Sequence, residues 1–165
     1  MIDKTIGTDV LVIGGGGGGL RAAIEAHDAG ARVLVVSNGI VGKSGLTQTA
    51  VTGFQVALGN VDARDNPSVH FEDSIRGSYG LADSELVRIF TEEAPDAVVD
   101  IESFGANFDR DENGKLFQRE LDSSQTYPRS IKKGDALGTP IMQALRKRMN
   151  KAAFQADMNL LSPSC

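Results

Sequence analysis

The sequence predicts an α/β protein: a Rossmann-like βαβ domain with an incomplete doubly wound sheet, added helices and a β-hairpin. Three observations support this fold class. A β-branched apolar run, Thr8–Ile13, is expected to be a buried parallel strand, and six consecutive glycines, Gly14–Gly19, follow it. A segment with helical spacing, Leu20–Ala29, follows the glycines, and a second apolar run, Arg32–Val36, comes directly after it. Strand, glycine turn, helix and strand in this order form one βαβ unit with a right-handed crossover.

The remaining elements are predicted from caps and periodicity. Segments at 49–58 and 67–76 are expected to be helices, the second opening with a proline. A third helix should begin at Asp83, bury Leu86, Ile89 and Phe90, and restart at Pro95. Later features are a hairpin at 108–117 turning on Asn113-Gly114, a loop at 120–134, a helix from Thr139-Pro140 that buries Ile141, Met142, Leu145 and Met149, and a strand at 158–161.

Composition excludes several classes of protein. The 165 residues are enough for one domain, and a net charge of −5 argues against nucleic acid or an anionic membrane as the main partner. The single cysteine, Cys165, rules out an internal disulfide framework and favours a reducing compartment. Because no signal peptide or long apolar run is visible, we expect a cytoplasmic protein without direct membrane insertion. Any contact with the cytoplasmic membrane face would go through a partner.

The glycine run fits the dinucleotide motif G-x-G-x-x-G in one register, Gly14, Gly16 and Gly19. The first glycine is expected to make the tight turn, the second to let the backbone approach a pyrophosphate, and the third to let helix and strand pack closely. Gly15, Gly17 and Gly18 are then tolerated spacers. A purely structural glycine turn is the alternative.

The end of the second strand distinguishes between cofactors. A carboxylate there usually holds the ribose of NAD, but this chain has Ser37 and Asn38. This neutral pair favours FAD over NAD, and a nicotinamide-dependent dehydrogenase is kept as a minor alternative.

Gly42-Lys43-Ser44 suggests a nucleoside triphosphate site at first sight. A P-loop requires glycine five positions before Gly42, where this chain has Ser37. We therefore interpret this stretch as donors and close-approach backbone along a second part of the same long cofactor. The residues concerned are Lys43, Ser44, Gly45, Thr47 and Thr49.

Several motifs occur in an order that resembles a known family. They are the glycine loop, Lys43–Thr47 with Ala50 and Gly53, Val56–Asn60, His70–Asp73, Gly105–Arg110 and Gly138-Thr139. Over about residues 8–150 the chain resembles the N-terminal part of the flavoprotein subunit of succinate dehydrogenase and fumarate reductase, with L-aspartate oxidase a close relative.

The resemblance implies FAD bound in an extended form. Gly14, Gly16 and Gly19 would hold the pyrophosphate, and Ser37 and Asn38 the adenosine ribose. Lys43 to Gly53, including Ala50, would follow the ribityl chain and flavin ring. Phe108 would lie near the bound dicarboxylate, although from the residues alone it is a core aromatic.

Two departures from the family qualify these assignments. Leu46 stands where membrane-bound members carry a histidine linked to the flavin, so FAD is expected to be non-covalent. Ala50-Val51-Thr52-Gly53 stands where the family often has Ala-Gln-Gly-Gly, which puts the flavin and substrate contacts there in doubt.

The resemblance also implies a chain that lacks the family's capping and C-terminal domains. Residues 1–155 are expected to form the N-terminal part of an FAD-binding domain, and residues 156–165 a divergent or truncated tail. No catalytic residue and no metal ligand is assigned, and His27 and His70 are expected to be non-catalytic.

The expected function is the FAD-binding portion of an oxidoreductase acting on a dicarboxylate of the succinate/fumarate type, incomplete for catalysis alone. Its partners would be an iron–sulfur subunit or the missing remainder of the flavoprotein. The alternatives are a fragment of an L-aspartate oxidase-type flavoenzyme and a non-catalytic remnant that acts only by contacts.

Overall fold

The computed structural model describes residues 5–119, 124–150 and 158–161, the last of these as backbone. The chain divides into two compact units, the first comprising Met1–Thr49 with Ile141–Cys165 and the second Ala50–Pro140. The elements are β1 (Val10–Ile13), α1 (Gly17–Asp28), β2 (Val33–Val36), a short 3₁₀ helix (Leu46–Thr49), β3 (Phe54–Gln55), α2 (Pro67–Gly77), α3 (Ser84–Ser103), β4 (Ser130–Ile131), α4 (Gly138–Met149) and β5 (Met158–Leu161).

The first unit contains a three-stranded parallel sheet in the order β1-β2-β5. Val10 pairs with Val33 across β1 and β2, and Val33 pairs with Met158 across β2 and β5. The predicted strands, the βαβ order and the strand at 158–161 are therefore confirmed. The predicted tail, 156–165, otherwise lies outside the described residues.

Burial in the first unit follows the apolar pattern in β2 and in most of α4, but not in β1. Residues 33–35 of β2 are buried, and α4 buries Met142, Leu145 and Met149 as predicted, whereas Ile141 is half-buried. The expectation that β1 is buried is wrong for one of its faces, because Leu11 is 54% exposed and Ile13 is 83% exposed. Helix α1 packs on β1 and β2, and Val12 is buried, so alternate residues of β1 face away from this cover.

The second unit pairs β3 with β4 in an antiparallel ladder, with Phe54 opposite Ile131 and Gln55 opposite Ser130. The predicted helix over 49–58 is wrong, because Gly53 has φ +121° and so cannot continue a right-handed helix. The predicted loop over 120–134 is also wrong at β4, because residues 130–131 pair with β3. Residues 120–123 of that loop lie outside the described residues.

Helix α2 begins at the predicted proline, and α3 begins after the predicted cap, Asp83. The Asn66 side chain accepts the N–H groups of Ser68 and Val69, and the Asp83 side chain caps α3 in the same way. Gly105, with φ +106°, follows the end of α3.

Two expectations for α3 are wrong. The helix runs through Pro95 without a restart, and its buried residues are Thr91, Ala94 and Val98. Leu86, placed in the inward stripe together with Ile89 and Phe90, is 66% exposed. Short side chains at 91 and 94 let α3 lie close to α2, which moves the buried stripe away from the bulkier residues.

The predicted hairpin forms as a tight turn with one isolated bridge, between Arg110 and Leu116. The N–H of Gly114 donates to the Asp111 carbonyl at 3.0 Å, and Gly114 takes φ +77°. The positive φ explains why Asn-Gly is a good signal for this turn.

A buried ion cluster joins α2 to the segment before β4. The Arg129 guanidinium is fully buried, and it donates to Asp65 Oδ1 at 2.6 Å and to Asp73 Oδ2 at 2.7 Å. Thr126 adds its backbone N–H and its hydroxyl to Asp73, at 2.8 and 2.7 Å. Burial would raise the pKa of Asp73, but these hydrogen bonds outweigh it and lower that pKa to about 2.

His70 lies beside this cluster and is buried. Burial first, and then the positive charge of Arg129, lower the pKa of His70 from 6.5 to about 4, against the opposing charges of Asp65 and Asp73. Its ring packs edge-on against Phe90, with 5.5 Å between the ring centroids. His70 is therefore neutral at pH 7 in the folded chain.

The lowered pKa of His70 predicts that the folded chain loses stability in acid. Between pH 6.5 and 4 the unfolded chain binds a proton at His70 and the folded chain does not, so the free energy of unfolding should fall as the pH falls. The loss should reach up to about 3 kcal/mol below pH 4. Urea unfolding of the wild type and of His70→Gln across this pH range measures it. The variant should lose this part of the slope, His27→Gln should keep it, and equal slopes in the wild type and His70→Gln would refute the assignment.

Candidate dinucleotide site

Gly14 and Gly19 are required by the protein's own backbone. The N–H of Gly14 donates to the Val36 carbonyl at 2.7 Å, which extends the β1–β2 ladder by one residue before the chain turns with φ +113°. A Cβ on Gly19 would collide with the Gly14 carbonyl and lie 3.4 Å from Val12. These two glycines allow α1 to start directly above the end of β1.

Two of the three expected spacers are also places of close approach. A Cβ on Gly15 would lie 2.9 Å from the Val41 backbone, and a Cβ on Gly17 would lie 2.8 Å from the Thr47 methyl group. The expectation that both positions merely tolerate glycine is therefore wrong. Sequence reasoning missed this because the residues that approach them lie about thirty positions further along the chain. Gly18, with nothing within 4 Å of such a Cβ, has open space.

Gly16 differs from its neighbours in that nothing in the protein requires glycine there. It is the N-cap of α1, with an extended backbone (φ −83°, ψ −173°) that any residue can adopt. A Cβ would meet only the Thr47 hydroxyl, at 3.9 Å. Gly16 has no side chain with which to cap α1, Thr47 Oγ1 accepts only the N–H of Gly17 there, and the first turn holds no acidic residue. A helix N-terminus of this kind favours an anion.

The segment that follows β2 lies against the glycine loop. The N–H of Gly42 donates to the Gly15 carbonyl at 2.9 Å, and the N–H of Gly17 donates to Thr47 Oγ1 at 3.2 Å. A Cβ on Gly45, which has φ +99°, would lie 3.8 Å from Gly16 Cα. The structure therefore brings these two predicted site segments together within the first unit.

Several polar side chains of this segment stabilise its own turns. Ser37 Oγ accepts the N–H of Gly39 at 3.3 Å, Ser44 Oγ donates to the Ile40 carbonyl at 2.8 Å, and Thr49 Oγ1 donates to the Leu46 carbonyl at 2.9 Å. Asn38 and Lys43 are exposed. Their assignment to a cofactor stays a prediction.

The remaining site residues lie in the second unit. The Ala50 carbonyl accepts the N–H groups of Leu137 and Gly138 at 3.0 and 2.8 Å, and Gly53 packs against the Ser130 hydroxyl. Phe108 is 2% exposed, which is the burial of a core aromatic. Its predicted place beside a dicarboxylate stays a prediction.

Sequence reasoning missed the Arg129 cluster. Asp73 belongs to a segment that carries the family resemblance, but no role was assigned to it, and Asp65 and Arg129 follow no recognisable spacing. The three residues come from separate segments, so no local pattern could have joined them.

Comparison with known proteins identifies the class of this site. Residues 9–162 match the FAD-binding domain family. The chain belongs to this family. Its relatives include flavoprotein subunits of succinate dehydrogenase and L-aspartate oxidase. The ligand expected at the glycine loop of this FAD-binding domain is therefore FAD.

Three relatives show the extent of the similarity. A fumarate reductase (CoM/CoB) subunit of Methanothermobacter marburgensis is 45% identical over 141 residues, which are 86% of this chain and 26% of that protein. L-aspartate oxidase of Streptomyces coelicolor is 33% identical over 156 residues, 94% of this chain and 26% of that protein. Mycobacterium smegmatis Sdh1, solved in complex with UQ1, matches with 36% identity and a TM-score of 0.86 over 94% of this chain and 27% of its own.

The chain spans about a quarter of the length of the relatives it matches. None of the helices in its described part is long and apolar enough to cross a membrane. Among the same residues no group of His, Cys, Asp and Glu side chains is arranged to hold a metal ion.

The packing of the glycine loop predicts opposite effects for two adjacent substitutions. Gly18→Ala should be neutral or stabilise the chain by up to about 1 kcal/mol, because it improves helix propensity in open space. Gly19→Ala should destabilise it by about 2 kcal/mol or more, because the new methyl group meets the Gly14 carbonyl. Chemical denaturation of both variants without added cofactor checks this. Equal effects at the two positions would contradict the described approach of α1 to β1.

Proposed function

We propose that this chain is the FAD-binding portion of a flavin-dependent oxidoreductase acting on a dicarboxylate of the succinate/fumarate type, and that it is incomplete for catalysis alone. The observation that carries the proposal is the N-terminus of α1. There Gly16 has an ordinary backbone conformation and room for a side chain, so neither turn geometry nor packing accounts for a glycine. Gly18 is equally free of packing constraints, but Gly16 is the N-cap of α1, where an anion bound at the helix end would approach the backbone.

The residues of the first unit fit the pyrophosphate of such a ligand. The N-terminus of α1 combines a positive helix end with backbone free of side chains at Gly16. Gly14 and Gly19 hold that backbone in place, and Thr47 Oγ1 already accepts the N–H of Gly17. Ser37 and Asn38, after β2, are the groups proposed for the adenosine ribose, where no carboxylate stands.

The segment from Lys43 to Gly53 is proposed for the ribityl chain and flavin ring. Bound FAD would supply two-electron oxidation and reduction, which no protein side chain of this chain provides. The Leu46 side chain has no group that could form a covalent flavin link, so we propose that FAD is held non-covalently. Lys43, Ser44, Gly45, Thr49, Ala50 and Gly53 belong to this proposed set, and Phe108 is proposed for the substrate side.

The substrate class rests on the relatives. A fumarate reductase subunit is 45% identical to the chain. The remainder of the proposed doubly wound sheet, the capping domain and the acid–base residues would belong to the three quarters of those proteins that this chain does not match. Residues 1–155 are proposed as the N-terminal part of that domain. An iron–sulfur subunit is the proposed partner, through which the protein would reach the cytoplasmic face of a membrane.

A second candidate is a non-catalytic module that acts only by contacts. The exposed apolar face of β1, formed by Leu11 and Ile13, favours it, because such a face is usually covered in a complete protein. A chain that folds stably and binds no FAD would support this candidate.

FAD binding can be tested with one substitution. Purified wild-type chain should quench the fluorescence of added FAD, and acid precipitation should release all of the flavin into the supernatant. Gly16→Ala should lower the affinity for FAD at least about tenfold, because its methyl group occupies space that the pyrophosphate needs. Gly7→Ala, also in open space, is the matched control and should bind FAD normally. Unchanged affinity in Gly16→Ala would contradict the proposed position of the pyrophosphate.

The substrate class requires a longer protein. A chimera in which residues 9–150 replace the matching quarter of the Methanothermobacter protein should contain FAD and reduce fumarate with a reduced dye as electron donor. The 165-residue chain loaded with FAD should show no reaction with succinate, fumarate or L-aspartate. A chimera that folds but contains no FAD, or that contains FAD and does not reduce fumarate, would contradict the proposed class.

A further inference from the structure

The buried ion cluster of Arg129, Asp65 and Asp73 costs the protein desolvation of three charged groups. Replacing such a cluster by apolar residues is often neutral or stabilising, so the cluster is weak evidence for a gain in stability. The charged groups of the cluster are nevertheless well paired with one another. Two nitrogens of Arg129 contact Asp65 at 2.6 to 3.1 Å, and a third contacts Asp73 at 2.7 Å. An arrangement of this kind fixes position more than it adds free energy of folding.

The part of the chain that the Arg129 cluster holds in position is the start of β4. The Arg129 carbonyl accepts the N–H of Val56 at 3.2 Å, and the next two residues pair with β3. The guanidinium is tied to α2 through Asp73 and to the segment before α2 through Asp65. The β3–β4 ladder therefore cannot slide or tilt without breaking charged hydrogen bonds in a dry environment.

Ser130 links β4 to the segment that is proposed to bind the cofactor. Its hydroxyl donates to the Thr52 carbonyl at 2.9 Å, and a Cβ on Gly53 would collide with it. Gly53, with φ +121°, is the last residue of the stretch proposed for the flavin. Each step from Arg129 through Ser130 to Thr52 and Gly53 is a direct covalent link, hydrogen bond or packing contact within the second unit.

We propose that Arg129 and Ser130 are positioning residues for FAD: the buried Arg129 cluster fixes β4, and Ser130 holds the Thr52–Gly53 backbone in the conformation that receives the cofactor. This inference rests on the proposed function. It identifies two residues outside the predicted cofactor set on which the affinity for FAD depends.

The test compares three variants of the full 165-residue chain by FAD affinity and by amide hydrogen exchange at residues 52–56. Ser130→Ala breaks the link to Thr52 and leaves every charge in place. Arg129→Lys keeps the charge and loses the two-nitrogen contact with Asp65. Arg64→Gln removes the exposed ion pair with Asp62 and is the control, because that pair lies next to Asp65 but outside the cluster.

Ser130→Ala and Arg129→Lys should each weaken FAD binding about tenfold, as expected for one lost hydrogen bond, and speed exchange at residues 52–56. Arg64→Gln should change neither. A purely structural role would lower the melting temperature while folded variants, measured well below it, bind FAD like the wild type; that result overturns the inference. If Arg129→Lys does not fold, Ser130→Ala decides, and unchanged FAD affinity in that variant refutes the inference.

Failure of the proposed function gives a different result. A wild-type chain that is folded and binds no FAD overturns the proposed function, and with it the role of Arg129 and Ser130 toward the cofactor. Wild-type binding combined with unaffected variants overturns the positioning role and leaves the proposed function standing.

Discussion

The first unit depends on how closely the N-terminus of α1 approaches the end of β1. Gly14 turns the chain at a positive φ, Gly19 passes over its carbonyl, and Gly15 and Gly17 make room for Val41 and Thr47. A methyl group at Gly19 would push α1 off β1, and one at Gly15 or Gly17 would push away the loop that carries Val41 and Thr47. A run of glycines costs conformational entropy on folding. The positive φ of Gly14 and these close approaches explain why most of the run is required.

The second unit depends on a different constraint, because its sheet is small. The two strands described there have two residues each, which gives a ladder too short to fix its own register by hydrogen bonds. The charged groups of Arg129, Asp65 and Asp73 supply the missing constraint from the side, together with Gln118, whose amide donates to the Val56 carbonyl at 2.7 Å. Polar contacts of high directionality replace the apolar packing that a larger sheet would provide. His70, Arg129 and Asp73 are all buried, so these polar contacts are shielded from water.

Sequence reasoning succeeded where local chemistry decides the structure. The strands around the glycine loop, the proline start of α2, the cap at Asp83 and the turn at Asn113-Gly114 all follow from neighbouring residues. Sequence reasoning failed where distant segments decide the structure. The segment with Thr52 and Gly53 resembles a weak helix in sequence, but the next two residues pair with β4. Leu86 is exposed because short residues of α3 face α2, and Gly17 is needed because Thr47 from the next loop lies against it. The Arg129 cluster joins three segments, and none of them shows a sequence pattern that would predict the contact.

The glycines of the two units can be grouped by the reason why glycine is needed at each position. Gly14 and Gly53 need a positive φ, and Gly15, Gly17 and Gly19 need space that the protein itself occupies. Gly16 needs neither. Gly18 also lies in open space, but it is inside α1, whereas Gly16 is the N-cap, and a helix N-terminus without an acidic first turn favours an anion. Membership of the FAD-binding domain family supplies its identity, and the neutral Ser37-Asn38 pair agrees with it, since an NAD ribose would usually meet a carboxylate there.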